Sequence, residues 1–132
     1  MGAALKIVDE TPTGEVIRET TLMLASETIT VRDLIERRVR DEVAAFNRSK
    51  AEQVFRGLVQ PSDTEASLNG YRLRKPRQLD ADAQCEKALE AFQKNGFFML
   101  ADDRQVESLD EEIVVGPDVR VSFVKLVPLV GG

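Results

Sequence analysis

The sequence contains no histidine and a single cysteine, Cys85. Those two shortages remove much of the familiar catalytic repertoire. Without an imidazole there is no Ser–His–Asp or Cys–His arrangement and no histidine-ligated metal. One thiol closes no internal disulfide, makes no C-x-x-C redox pair and builds no zinc cluster, and a chain without disulfides suits a reducing cytosol. Phosphate loops of the G-x-G-x-x-G or Walker type are missing too, so the chain is not expected to turn over a nucleotide by itself. No apolar run approaches the roughly 20 residues that cross a bilayer. The opening MGAALKIVDE has no basic segment ahead of a long apolar one, so no secretory signal is expected.

Positive charge is the next shortage. Lys and Arg number 18 against 23 Asp and Glu, a net −5, and the pI is about 4.9. Nucleic acid, which favours a basic face, is therefore not an expected partner, and neither is a membrane. What is present (132 residues, 42% apolar and 31% charged) is the make-up of one soluble globular domain. The expectation is a cytoplasmic protein that is bound or acted upon: not an enzyme, with no metal and no bound cofactor.

Along the chain, LKIVDETPTGEVIRETTLML reads as a hairpin, with β-rich runs over Leu5–Glu10 and Val16–Leu24 around Pro12, Thr13 and Gly14. The buried parity is open: either Ile17, Thr21 and Met23, or Val16, Leu22 and Leu24. Thr30 followed by Asp33 resembles a capping box. After it, Val31, Leu34, Ile35, Val39, Val43 and Phe46 recur at helical spacing. From 47 to 77 the signal weakens. Ser49 with Glu52 suggests a second cap, Val54, Phe55 and Leu58 a short helix or a continuation of the first, and YRLRKPRQ a basic extended piece. A further helix is expected over LDADAQCEKALEAFQKNG, capped by Asp80 or Asp82, striped by Ala81, Cys85, Ala88, Leu89 and Phe92, and stopped at Asn95-Gly96. Strands return in FFML, at Gln105-Val106 and in VRVSFVKLV, where Val119, Val121 and Phe123 share a face.

The order hairpin, helix, further strands and free tail resembles the β-grasp fold of ubiquitin-like proteins. TPTG resembles the T-x-T-G type turn of their first hairpin, SETITVRDLIERRV the approach to their helix, and FFMLADDRQVESLDEEIVVGPDVRVSFVKLV the spacing of their later strands. The ending VPLVGG is similar to the tails of the small sulfur carriers of molybdopterin and thiamine synthesis. It lacks the arginines of ubiquitin's tail, which makes it more like a sulfur carrier or a bacterial ubiquitin-like protein. The resemblance covers roughly residues 5–46 and 96–132. It implies an α+β chain of β-grasp type: one domain over 1–132, a mixed sheet with one packed helix, a helical insertion at 47–95 between that helix and the third strand, and a flexible tail at 127–132.

The resemblance also implies a function for Gly131 and Gly132. A C-terminal carboxylate that must thread a narrow channel is helped by residues without a Cβ. Ionised at neutral pH, it can attack the α-phosphate of ATP held by an E1-like adenylating enzyme, so that ATP is the partner's cofactor and not this chain's. The acyl-adenylate is then captured by a cysteine thiolate. Transfer to a lysine amine gives a protein modifier, served by an E2-like conjugating enzyme and a deconjugating protease. Transfer of sulfur gives a thiocarboxylate carrier. An interaction domain whose tail is never activated is the remaining alternative.

Pro128, Leu129 and Val130 are the expected tail-docking residues, and Val124 and Leu126 a possible partner patch. The acidic group Asp102, Asp103, Glu107, Asp110, Glu111 and Glu112 could steer docking. The basic run Arg72, Arg74, Lys75 and Arg77 reads as a solvated face, and Cys85 as a small core residue.

Overall fold

A computed structural model describes residues 2–49, 54–67, 70–74 and 77–126. In chain order the elements are β1 (Ala3–Glu10), β2 (Val16–Leu24), β3 (Thr28–Thr30), α1 (Val31–Arg48), β4 (Val54–Phe55), β5 (Thr64–Ser67), β6 (Gly70–Leu73), α2 (Ala81–Gln93), β7 (Phe97–Ala101), β8 (Arg104–Val106), β9 (Glu112–Val114) and β10 (Arg120–Lys125). The chain is thus mixed α+β. It divides into two compact units, one made by residues up to Asp33 and from Phe92 onward, the other by Leu34–Ala91.

The first unit is built on a five-stranded sheet in the order β2-β1-β10-β7-β8. β1 runs antiparallel to β2 with Leu5 opposite Leu22, and parallel to β10 with Ile7 opposite Val121. β10 is antiparallel to β7, Phe123 facing Met99, and β7 to β8, Met99 facing Val106. Because side chains alternate across a strand, this register lines up Leu5, Ile7, Leu22, Met99, Val106, Val121 and Phe123 on one face, and all seven are buried. The open parity of β2 resolves toward Leu22 and Leu24, while Ile17 and Met23 are exposed. Val16, of the buried parity, is exposed as well: it lies at the start of an edge strand, beside the register shift at Asp9/Glu10. A second, two-stranded sheet pairs β3 with β9, Ile29 opposite Ile113.

The start of α1 is closed by three of the N–H donors that a helix leaves unpaired. Asp33 N–H donates to Thr30 Oγ1 (3.1 Å), Val31 N–H to the Glu111 carbonyl (2.9 Å) and Arg32 N–H to the Leu109 carbonyl (3.0 Å). The loop supplying those carbonyls is itself tied by the Glu111 carboxylate, which binds the Arg104 guanidinium and accepts the Glu107 N–H at 3.2 Å. The hydrogen bond from Arg104, followed by that from Glu107, holds the Glu111 carboxyl below its ordinary value of 4.5. A depressed carboxyl stabilises the fold above its unfolded pKa and loses that contribution as pH falls through its folded one. Glu111→Gln should therefore lower stability at neutral pH by about 1 kcal/mol. Thermal melts of the two proteins should converge as the pH is taken below 4.5.

The second unit holds the three-stranded antiparallel sheet β4-β6-β5 together with the greater part of both helices. This corrects the expectation of a helix over Val54, Phe55 and Leu58: Val54–Phe55 is β4, with Phe55 opposite Tyr71 in β6. Three apolar residues in so short a run fit either period, and the outcome is decided by two glycines. A Cβ on Gly57 would land in the ring of Phe55, and Gly70, at φ +142°, closes in on the Phe55 carbonyl. The insertion is therefore not purely helical; it is a small sheet followed by α2. Ser49 follows the end of α1, its N–H donating to the Phe46 carbonyl; Glu52, its expected partner in a second cap, lies outside the described residues.

Buried residues of this unit include Ile35, Val39 and Val43 of α1, Phe55, Leu58, Leu73 and Leu79, and Cys85 and Ala88 of α2. Phe46 meets Phe55 edge-on at 5.6 Å. The Asn47 amide bonds both backbone groups of Leu79, at 3.0 and 2.8 Å. In α2 the cap is Asp80, whose carboxylate accepts the N–H of Asp82 (2.9 Å) and of Ala83 (3.4 Å); Asp82 instead binds Arg40 at 2.8 Å. Of the expected stripe, Cys85, Ala88 and Phe92 are buried, whereas Ala81 and Leu89 are half-buried. Gly57→Ala should drive the Phe55 ring out of place and cost about 1–3 kcal/mol. Adding Phe55→Leu should recover part of that loss in a denaturant titration, because the obstructing ring is gone.

Candidate functional site

The residues expected to carry chemistry, Gly131 and Gly132, and the tail-docking residues Pro128, Leu129 and Val130 lie outside the described residues. What the fold defines is their approach. β10 is the central strand of the five, parallel to β1 on one side and antiparallel to β7 on the other. Its last pairings are Val124 with Glu10 and Phe98, then Lys125 with Phe97. The chain therefore leaves the sheet at the end that also carries the turn between β1 and β2. That turn is firmly built: Thr11 Oγ1 accepts the Glu15 N–H at 3.1 Å and contacts Thr13 Oγ1 at 3.0 Å, while Gly14 N–H returns to the Thr11 carbonyl at 2.9 Å.

The alternation that buries Val121 and Phe123 assigns Ser122 and Val124 to the opposite face, and Leu126 follows just past the end of the strand. Leu126 is 45% exposed and Val124 half-buried. Across the ladder, Val124 is opposite Phe98 and Ser122 opposite Leu100, and both of these β7 residues are half-buried. Phe98 and Leu100 are thus the β7 neighbours of the outer residues of β10. FFML is apolar at every position, so it betrays no outer face; only its register with β10 identifies Phe98 and Leu100 as neighbours of Val124.

Beside this strip the Glu10 carboxylate receives the Arg120 guanidinium at 2.7 Å and the Ser122 hydroxyl at 3.3 Å. Lys6 and Glu19 pair at 3.5 Å. The strip is thus bordered by charges that are paired within the fold.

The acidic group divides by role. Asp102 accepts the Arg120 N–H (3.1 Å) and Glu111 binds Arg104, so both are spent on the fold. Asp103, Glu107, Asp110 and Glu112 remain exposed. Asp102 and Asp103 also form the turn between β7 and β8, at φ +47° and +70°, a left-handed pair that suits a two-residue hairpin. In the basic run, Arg72 is exposed in β6. Arg74 lies 3.4 Å from Asp63 and 3.8 Å from Glu65, and Arg77 donates to the Ser62 carbonyl; Lys75 lies outside the described residues. Cys85 is 3% exposed and burial pushes its thiol up, the setting of an inert core residue.

Among the described residues no cluster of three or more acidic or cysteine side chains could hold a metal, and no helix is long and apolar enough to cross a membrane. Comparison with protein-family models, with characterised proteins and with solved structures finds no match.

Proposed function

We propose that the chain is a ubiquitin-like modifier of the β-grasp type, activated at Gly132. The observation that carries this reading is the position of β10: it occupies the middle of the sheet, parallel to β1, and the chain runs on from it toward Gly131 and Gly132. The strand order β2-β1-β10-β7-β8, with the first hairpin preceding a helix, supports the β-grasp reading. The outer strip of Phe98, Leu100, Val124 and Leu126 supplies a surface, next to the exit point, on which an E1-like adenylating enzyme would dock.

The chemistry asks little of this chain. A carboxylate oxygen of Gly132 attacks the α-phosphate of ATP on the partner, pyrophosphate leaves, and the acyl group becomes an adenylate. A partner thiolate displaces AMP to give a thioester. A target lysine amine, brought by an E2-like enzyme, attacks the thioester; the thiolate leaves and an isopeptide bond remains. A protease would reverse the last step by hydrolysis.

The test is mass spectrometry of N-terminally tagged protein recovered from its own host, beside a variant lacking Gly131 and Gly132. Higher-mass species carrying Gly132 on a lysine, absent from the variant, are the expected result. A tail in which one oxygen has become sulfur would replace the modifier by a sulfur carrier. Identical, unmodified masses for both proteins under every growth condition would leave only a binding module.

A further inference from the structure

The five-stranded sheet has two edges of unequal kind. β8 is three residues long and its Arg104 is tied to Glu111, whereas β2 runs for nine residues and pairs only with β1 among the described residues. A short edge is a poor template for another strand, and a long one is a good template. β2 is also where exposed apolar side chains collect. Of the five large hydrophobic residues exposed among the described residues, three lie on it: Val16 (47%), Ile17 (58%) and Met23 (60%). Arg18, Glu19, Thr20 and Thr21 separate them, so the exposed apolar groups sit toward the two ends of the strand.

The ladder fixes which way they face. Met23 is opposite Ala4 and Thr21 opposite Lys6, on the outer face of the sheet. The register shift at Asp9/Glu10 sets Val16 opposite Glu10, which shares that face by alternation, so Val16 and Met23 emerge on the same side. Ile17 lies at the shift itself. A second copy, turned about a two-fold axis normal to the sheet, can lie antiparallel against this edge and present the same strand in reverse. Directly opposite residues must share a face, so the axis passes through one residue of β2. Through Arg18 or Glu19 it would set like charges opposite each other, which is unfavourable. Through Thr21 it would set Met23 against Glu19. Through Thr20 it sets Thr20 on Thr20, Arg18 by Leu22 and Glu19 by Thr21, and it brings Met23 of each copy to Val16 and Ile17 of the other. Glu19 keeps Lys6 at 3.5 Å as its own counter-ion. Only this register gathers the exposed apolar residues of the strand, and the symmetry does so at both ends.

We infer that two copies of this chain associate edge to edge through β2, antiparallel and centred on Thr20, so that two five-stranded sheets become one continuous sheet. The contact is small, so the dimer is weak and dissociates on dilution. Sedimentation velocity of the full chain over a dilution series should show a concentration-dependent passage between monomer and dimer. Ile17→Glu and Met23→Lys, each alone, should weaken association about tenfold, through one lost apolar pairing at each end of the contact. Mixed in equal amounts, the two variants should recover it. One end of the mixed dimer then sets the introduced carboxylate beside the introduced ammonium, and the other keeps the native contact of Ile17 with Met23. Recovery of this kind cannot come from misfolded chains. A wild-type chain that stays monomeric throughout the series, or single variants that associate as the wild type does, would overturn the interface. A mixture no more associated than its components would overturn the Thr20 register. The tail takes no part: a chain lacking Gly131 and Gly132 should dimerise as the wild type does, so the result stands or falls apart from the proposed function.

Discussion

Glu42→Ala is expected to destabilise the second unit by about 1–3 kcal/mol, the cost of removing the acceptor of a buried backbone donor together with one partner of a part-buried guanidinium. Glu42 and Arg38 stand one turn apart on α1, 3.3 Å from each other, with side chains only 13% and 7% exposed. The same carboxylate accepts the N–H of Leu58 at 3.1 Å, in the stretch that follows β4. Removing it takes away the carboxylate opposite the buried Arg38 guanidinium and orphans a backbone donor whose residue is 4% exposed, each a recognised penalty. Its effect should exceed that of any exposed pair, such as Arg40 with Asp82. The double variant Arg38→Met/Glu42→Leu should be considerably milder, because an apolar pair of similar size needs no solvation. Hydrogen exchange resolved by residue would place the loss: amides over residues 54–58 and 71–73 should lose protection first.

Phe123→Ala should cost the first unit more, about 3–5 kcal/mol, through lost burial and the cavity left behind. Phe123 is fully buried at the centre of the five-stranded sheet, opposite Met99 on one side and Asp9 on the other. Its ring lies 6.0 Å from that of Phe97. With a urea slope near 2 kcal/mol/M, the midpoint should fall by roughly 2 M. Phe123→Leu, which keeps most of the volume, should cost about 1.5 kcal/mol or less. If the proposed function holds, the alanine variant should also form less conjugate, since β10 is what holds the start of the tail. A truncation at Gly131 would abolish conjugation with no change in the midpoint, and that separates chemistry from stability.

The elements legible in the sequence were those with long, clean periods. Val31 through Phe46 repeated at helical spacing, Thr30 announced the start, and α1 begins there. The β1–β2 hairpin announced itself through Pro12, Thr13 and Gly14, and Asn95 takes the left-handed conformation at φ +61° that ends a helix. The second unit's sheet was not legible, for a physical reason. Its strands are two to four residues long, too short to establish a period of two, and β4 depends on close approaches to Gly57 and Gly70 that only the folded chain reveals. The pairing of β3 with β9 was hidden likewise, because each has three residues and about eighty residues separate them. For the outer strip, the last strand's alternation was readable but its neighbours in β7 were not, since a uniformly apolar run has no facing signal.

The partner that β10 chooses bears on how the sheet forms in time. β1 meets β2 almost at once after synthesis, across a short turn, but its other edge waits for β10: Ile7 must find Val121, more than a hundred residues later. Closing so long a loop is entropically slow, and in the interval the inner edge of the hairpin presents unpaired backbone and the apolar side chains of Leu5, Ile7 and Val8. The second unit's strands and the greater part of both helices, in contrast, lie within 58 consecutive residues and form from shorter-range contacts. The chain is therefore expected to refold in two phases, an early one reported by residues 34–91 and a later one by β10, with aggregation confined to the interval between them.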